Sequence, residues 1–172
     1  MATPIIVTGA AGFIGMHVAE RLLNRGETVI GVDVFNAYYD PALKDARAAR
    51  LAGREGFTMV RLDIAEHQAF ADLVKTSSAK RVVHLAAQAG VRYSLDSPDV
   101  YGQSNLVGFL NVLEACRHHR PEHLIYASSS SVYGANTKMP FSEHQPTEHP
   151  LTLYAATKKA NELMAHSYAH LY

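Results

Sequence analysis

The sequence predicts an α/β domain built on a doubly wound parallel sheet. Three observations predict it. Short β-branched runs alternate with helical patterns along the chain. Those runs are apolar throughout, as in strands covered on both faces. A glycine-rich turn joins the first run to the first helix.

Residues 4–8 read as a buried strand, and residues 13–24 as a helix with apolar spacing at Phe13, Ile14, Val18 and Leu22, closed by Gly26. Residues 27–33 and 57–62 give the second and third strands, and 66–76 a helix between the third strand and the fourth at 81–85. Residues 98–119 form one long helical stretch stopped by Pro121, followed by a fifth strand at 123–127. Residues 152–171 make a final amphipathic helix. Right-handed crossovers then wind the sheet from both sides. Two stretches do not fit a bare βαβ unit: 36–56, a long charged insertion, and 134–150, a surface loop rich in Pro, His and Glu.

The 172 residues suit one domain, and 48% apolar residues supply a core. Sixteen basic residues balance sixteen acidic ones, which gives no electrostatic case for nucleic acid or an anionic membrane as partner. Cys116 stands alone, so no intrachain disulfide forms, in keeping with a reducing compartment. Met1-Ala2-Thr3-Pro4 runs into Ile5-Ile6-Val7 without a targeting pattern, and no apolar run approaches the roughly 20 residues that span a bilayer. A soluble, cytoplasmic protein is expected. His118, His119 and His123 cluster near Pro121, and His166 and His170 are four apart. No cysteine or carboxylate joins them at ligand spacing, so no metal is expected.

Thr8-Gly9-Ala10-Ala11-Gly12-Phe13-Ile14-Gly15 has the spacing G-x-x-G-x-x-G between strand and helix. Glycines there let backbone approach a pyrophosphate, and the helix start adds free N–H groups and a positive dipole end. Asp33 follows, 24 residues past Gly9, at the end of the second strand. A carboxylate there accepts hydrogen bonds from adenosine ribose hydroxyls and repels a 2′-phosphate, which favours NAD over NADP. Asp63-Ile64 ends the third strand and is a candidate for the adenine pocket, or a plain turn aspartate.

Tyr154 and Lys158 are four apart and share a helix face. An ammonium beside a phenol favours phenolate, which can take a proton from a hydroxyl. Ser128-Ser129-Ser130-Ser131 follows the fifth strand, and four hydroxyls at a strand's carboxyl end are hard to explain by packing.

Together these residues resemble the extended short-chain dehydrogenase/reductase family of NAD-dependent epimerases and dehydratases, with its Rossmann fold. The stretches Asp33-Val34-Phe35-Asn36-Ala37-Tyr38-Tyr39-Asp40-Pro41, with Leu43-Lys44 after it, and His84-Leu85-Ala86-Ala87-Gln88-Ala89-Gly90-Val91-Arg92-Tyr93-Ser94 look most like the UDP-glucuronate 4-epimerases. The resemblance implies NAD bound by Gly9, Gly12, Phe13, Ile14, Gly15, Asp33, Asn36, Asp63, Ile64, Leu85, Ala86, Ala87, Gln88, Asn105, Tyr154 and Lys158. It implies a catalytic Ser129, Tyr154 and Lys158, with Arg92, Ser129 and Ser130 facing a UDP-sugar. Asn36, Lys44 and Arg47 either contact the adenosine end or fold the insertion.

The implied reaction has no net redox change. Tyr154 removes the proton of the sugar 4-hydroxyl as hydride leaves C4. Ser129 bonds the same oxygen, Lys158 holds the nicotinamide ribose, and the 4-keto sugar turns over before hydride returns. Related decarboxylases and dehydratases look to carry acids where this chain has Ser130 and Ser131, which argues for epimerisation. UDP-glucose/UDP-galactose 4-epimerisation is the alternative. The chain ends on a helix at Tyr172, and members of the resembled family are much longer. A half that grips the substrate is therefore expected beyond it, and this chain alone is expected to bind NAD and turn over weakly or not at all. A homodimer or larger homo-oligomer is also expected, with the fifth strand as an exposed edge, and the resemblance implies pairing through the two long helices.

Overall fold

The computed structural model describes residues 3–172; Met1 and Ala2, where the targeting reading begins, lie outside the described residues. The chain divides into two compact units. One runs to Ala86 and takes in Asn111–Ala127; the other comprises Ala87–Leu110 and Ser128–Tyr172.

The first unit holds the sheet: β1 (Ile5–Thr8), β2 (Val29–Asp33), β3 (Phe57–Arg61), β4 (Arg81–His84) and β5 (His123–Tyr126). The order is β3-β2-β1-β4-β5 and every pairing is parallel. The connections are α1 (Phe13–Asn24), α2 (Pro41–Leu51) and α3 (His67–Ser77), and then, by way of the second unit, α6 (Gly108–His119). Successive strand residues serve opposite faces, as the two-residue period requires. Ile5 and Val7 pack with Met16, Ala19, Leu23 and Leu51 on one face. Ile6 and Val82 pack with Phe70, Val74, Val112 and Ala115 on the other. Burying each such aliphatic side chain contributes about 1.5–3 kcal/mol.

Three expectations are corrected. The charged stretch 36–56 contains α2, the crossover helix of an ordinary βαβ unit. Asp40 caps it by accepting from the Ala42 N–H at 2.9 Å, and Pro41 fills its first position. Its apolar stripe is nearly absent, because only Lys44 and Leu51 are buried. In α1 the inward face is Gly15, Met16, Ala19 and Leu23, whereas Phe13 and Ile14 are exposed. Of the expected stripe, Val18 and Leu22 pack half-buried against the core beside this face, and only Phe13 and Ile14 turn away from it. The long helix is not uniform: α5 (Pro98–Tyr101) passes through a π-helical segment, Gly102–Val107, into α6. Such segments often sit at functional positions.

The second unit also holds the one-turn α4 (Tyr93–Asp96), a 3₁₀ turn at Ser130–Tyr133, and α7 (Leu153–Leu171), against which that turn packs. Thr152 caps α7 by accepting from the Ala155 N–H at 3.1 Å. Edge strand β5 is more open than the central strands, with Ile125 exposed.

Candidate active site

In the first unit, candidate nucleotide contacts gather at the carboxyl ends of β1, β2 and β4. Gly9 leaves β1 at φ +72°, a conformation glycine adopts without penalty. A Cβ there would stand 2.8 Å from the Ala86 nitrogen, so the loop and the exit of β4 touch backbone to backbone. Gly12 starts α1 with no side-chain cap, and no acidic residue occupies the first turn. The N–H groups of Phe13, Ile14 and Gly15 thus begin the helix unneutralised, which suits an anion. A Cβ on Gly15 would drive into the Gly9 carbonyl.

Thr8 was not foreseen and organises this corner. Its hydroxyl accepts from the Leu85 and Ala86 N–H groups, both at 3.1 Å, and lies 2.8 Å from His84 Nδ1. Two amides fill the hydroxyl lone pairs, so its hydrogen goes to His84 Nδ1, which accepts. No sequence pattern advertises a lone threonine in this role.

Asp33 is buried at the end of β2. Its Oδ2 accepts from the Ala11 N–H at 3.1 Å, and its Oδ1 from the Phe35 N–H and from Lys44 Nζ, each at 2.9 Å. Arg47 donates to the Tyr39 hydroxyl at 2.9 Å. Of the two roles open to Lys44 and Arg47, folding this segment is thus observed. Asn36 is exposed. Asp63 accepts from the Ala65 N–H at 2.9 Å, a local turn, while Ile64 is buried in the core.

The second unit holds the candidate chemical groups. Near its start Gln88 is fixed by Asn105, whose Oδ1 accepts from the Gln88 N–H at 2.8 Å and whose Nδ2 donates to the Gln88 carbonyl at 3.0 Å and to Thr157 Oγ1 at 3.1 Å. Asn161 Nδ2 donates to the Asn105 carbonyl at 2.7 Å. The π-helical segment supplies Asn105, α7 supplies Thr157 and Asn161, and one buried amide network ties them. Asn105→Ala is expected to cost about 3 kcal/mol, since it strands two Gln88 backbone groups in a buried place; thermal unfolding reads it.

Tyr154 and Lys158 lie on α7. Tyr154 is half-buried, edge-on to Tyr101 at 6.2 Å between ring centroids. The Lys158 residue is 3% exposed, and its ammonium has no hydrogen bond or ion pair among the described residues. Burial pulls it down to about 8, an effect the nearby Glu162 carboxylate partly opposes. A largely desolvated ammonium that reaches the surface without a protein partner suits a site that receives one from a ligand. Ser129 accepts from the Ser131 N–H at 3.2 Å and heads the 3₁₀ turn. Ser128 donates to Glu162 at 2.6 Å, and Glu162 also pairs with Lys159 at 3.2 Å, so α7 holds the serine segment through a residue the sequence reading passed over. Ser130 is exposed, and so is Arg92, which has no ion pair among the described residues. Leu85 and Ala86 belong to the first unit; Ala87 begins the second.

Among the described residues no three His, Cys, Asp or Glu side chains could hold a metal ion, and no helix is long and apolar enough to cross a membrane.

The sequence model of the NAD dependent epimerase/dehydratase family matches residues 5–172. A relative from Arabidopsis thaliana, UDP-glucuronate 4-epimerase 4, is 53% identical over 98% of this chain and 38% of its own length. The UDP-glucuronic acid 4-epimerase of Bacillus cereus, solved with UDP-glucuronic acid and NAD, superposes with a TM-score of 0.89 at 35% identity, over 98% of this chain and 52% of that one. The UDP-glucose 4-epimerase of Brucella ovis, solved with NAD, gives 0.85 at 29% identity, over 99% of this chain and 49% of that one. The chain spans about half the length of the curated relatives it matches.

Proposed function

We propose a reaction for this chain from its kinship, for it belongs to the NAD dependent epimerase/dehydratase family. The proposed reaction is 4-epimerisation of a UDP-sugar, with UDP-glucuronate and UDP-galacturonate as the favoured pair. One observation supports that choice: 53% identity to a UDP-glucuronate 4-epimerase across nearly the whole chain; among the solved structures the margin is narrow, 35% to a UDP-glucuronic acid 4-epimerase against 32% and 29% to UDP-glucose 4-epimerases. Ser130 and Ser131 agree with it, since neither offers a carboxylate for proton chemistry at C5.

The residues present fit NAD. The uncapped start of α1 suits its pyrophosphate, buried Asp33 suits its adenosine ribose, and the unpartnered Lys158 ammonium suits its nicotinamide ribose. When bound, NAD supplies the hydride acceptor and donor. In the proposed division of work, Tyr154 takes the proton of the 4-hydroxyl and later returns it. Ser129 donates to the same oxygen, and Lys158 keeps a positive charge near the phenol. Gln88, braced by Asn105, lines the cofactor.

The test is product analysis by chromatography after incubation with NAD and either UDP-glucuronate or UDP-glucose. Interconversion of UDP-glucuronate and UDP-galacturonate is expected, and Tyr154→Phe should lower it at least about a hundredfold. Turnover of UDP-glucose alone would reassign the substrate, and an unimpaired Tyr154→Phe would remove the tyrosine from its role. The second reading is NAD binding without turnover. Calorimetric binding of NAD with no product would favour it.

We also propose a homodimer. Exposed Val107 and Leu110 in the helical stretch and Leu163 on α7 support it, and a monomer in light scattering at micromolar concentration would refute it.

A further inference from the structure

Helix α2 is built the wrong way round for a core helix. Leu43 is 50% exposed, whereas Lys44 is buried at 7%. Its ammonium reaches Asp33 Oδ1 at 2.9 Å, and both side chains are withdrawn from water. A buried ion pair is weak as a source of stability, because desolvation offsets the attraction. The hydrogen-bond inventory of the pair points elsewhere. A carboxylate has about four acceptor sites. Asp33 uses three, two on Oδ1 and one on Oδ2, which leaves Oδ2 one acceptor site. An ammonium has three donors, and the Lys44 ammonium gives one to Asp33. The pair therefore offers an acceptor and spare donors side by side. A sugar hydroxyl, which both donates and accepts, satisfies such a pair; a phosphate, which only accepts, satisfies the lysine and is repelled by the aspartate.

We propose, building on the placement of the adenosine ribose at Asp33, that Lys44 is the second coenzyme-selecting residue. It donates to the ribose beside Asp33, and it is a latent phosphate ligand that the Asp33 carboxylate masks. NAD is chosen over NADP because the carboxylate outweighs the cation. Two other cations of this corner are already engaged: Arg61, opposite Asp33 in the β2–β3 register, pairs with Asp45 at 2.7 Å, and Arg47 donates to the Tyr39 hydroxyl at 2.9 Å.

Calorimetric titration of the 172-residue chain with NAD and with NADP tests this, with circular dichroism as the control for folding. The unsubstituted chain should prefer NAD. Equal affinity for both would overturn the ribose placement itself, and the selector with it. Asp33→Asn keeps the shape and removes the charge, and should raise NADP affinity about tenfold or more. In Asp33→Asn/Lys44→Gln that gain should vanish. A chain that prefers NAD but gains no NADP affinity in Asp33→Asn, or keeps the gain in the double variant, overturns the role of Lys44 alone. Lys44→Gln gives an independent reading. It should widen the preference for NAD about tenfold, because a 2′-phosphate loses the cation beside Asp33. A merely structural lysine would weaken both coenzymes equally, and an unchanged ratio would sink the proposal.

Discussion

Gly15→Ala should unfold this domain at a markedly lower temperature, although alanine is the better helix former. The intrinsic preference favours alanine by about 1 kcal/mol inside a helix. Against it stands the Gly9 carbonyl, into which a Cβ at position 15 would project, with Ala10 Cα only 3.0 Å away. Those neighbours are backbone and cannot rotate aside. Gly9 is itself held at φ +72° so close to β4 that a Cβ on it would meet the Ala86 nitrogen at 2.8 Å, so the loop has little room to retreat. Overpacking of this kind costs about 3 kcal/mol, more than the helical gain. The shift should also carry the Phe13 and Ile14 N–H groups off the pyrophosphate and weaken NAD binding at least about tenfold. Gly102→Ala is the contrast. Nothing lies within 4 Å of a Cβ there, so it should be neutral or stabilise by up to about 1 kcal/mol. Thermal unfolding and NAD calorimetry on both variants decide it. If Gly15→Ala is as stable as Gly102→Ala, the tight approach of α1 to the loop is wrong.

What could be read from the sequence depended on how local the signal was. The five strands and the limits of α1 were legible because β-branched runs and a closing glycine act over a few residues. The glycine loop and Asp33 were legible because spacing along the chain equals position at the carboxyl ends of β1 and β2. Helix α2 escaped because periodicity looks for an apolar stripe, and this helix turns a lysine inward. Its true announcement was the Asp40-Pro41 cap. The π-helical segment escaped for another reason: one extra residue per turn leaves composition unchanged. Asn105 could be named as a site residue, but not its partners. Gln88 and Thr157 lie 17 and 52 residues away, and only the fold brings them to it. Thr8 heads the glycine-loop stretch, but its hydroxyl's partners lie 76 to 78 residues away, and Glu162 sits in no pattern at all.

Lys158 carries the sharpest conflict between stability and proposed function. At 3% exposure and without a bonding partner, its ammonium is held down to about 8 against an ordinary 10.5. That gap corresponds to about 3 kcal/mol set against folding while the group is charged. Lys158→Met fills similar space with no charge, so at pH 7 it should stabilise the chain by about 1–3 kcal/mol, raising Tm by about 2–4 °C per kcal/mol. The sign follows from proton counting. Between about 8 and 10.5 the unfolded chain keeps the lysine proton and the native chain has lost it, so native stability rises with pH across that interval. The advantage of methionine is therefore full below about pH 8 and gone by about 10.5. Function should move the other way. The substitution removes the charge proposed to hold the nicotinamide ribose, so NAD binding should weaken about tenfold or more. The unsubstituted chain should itself lose NAD affinity as pH rises through about 8, while the variant shows no such step. Unfolding curves at pH 7 and 10, with NAD titrations across pH 6.5–9.5, separate the two effects. A destabilised Lys158→Met at pH 7 would mean that the ammonium has a partner in solution and the site is not waiting for one.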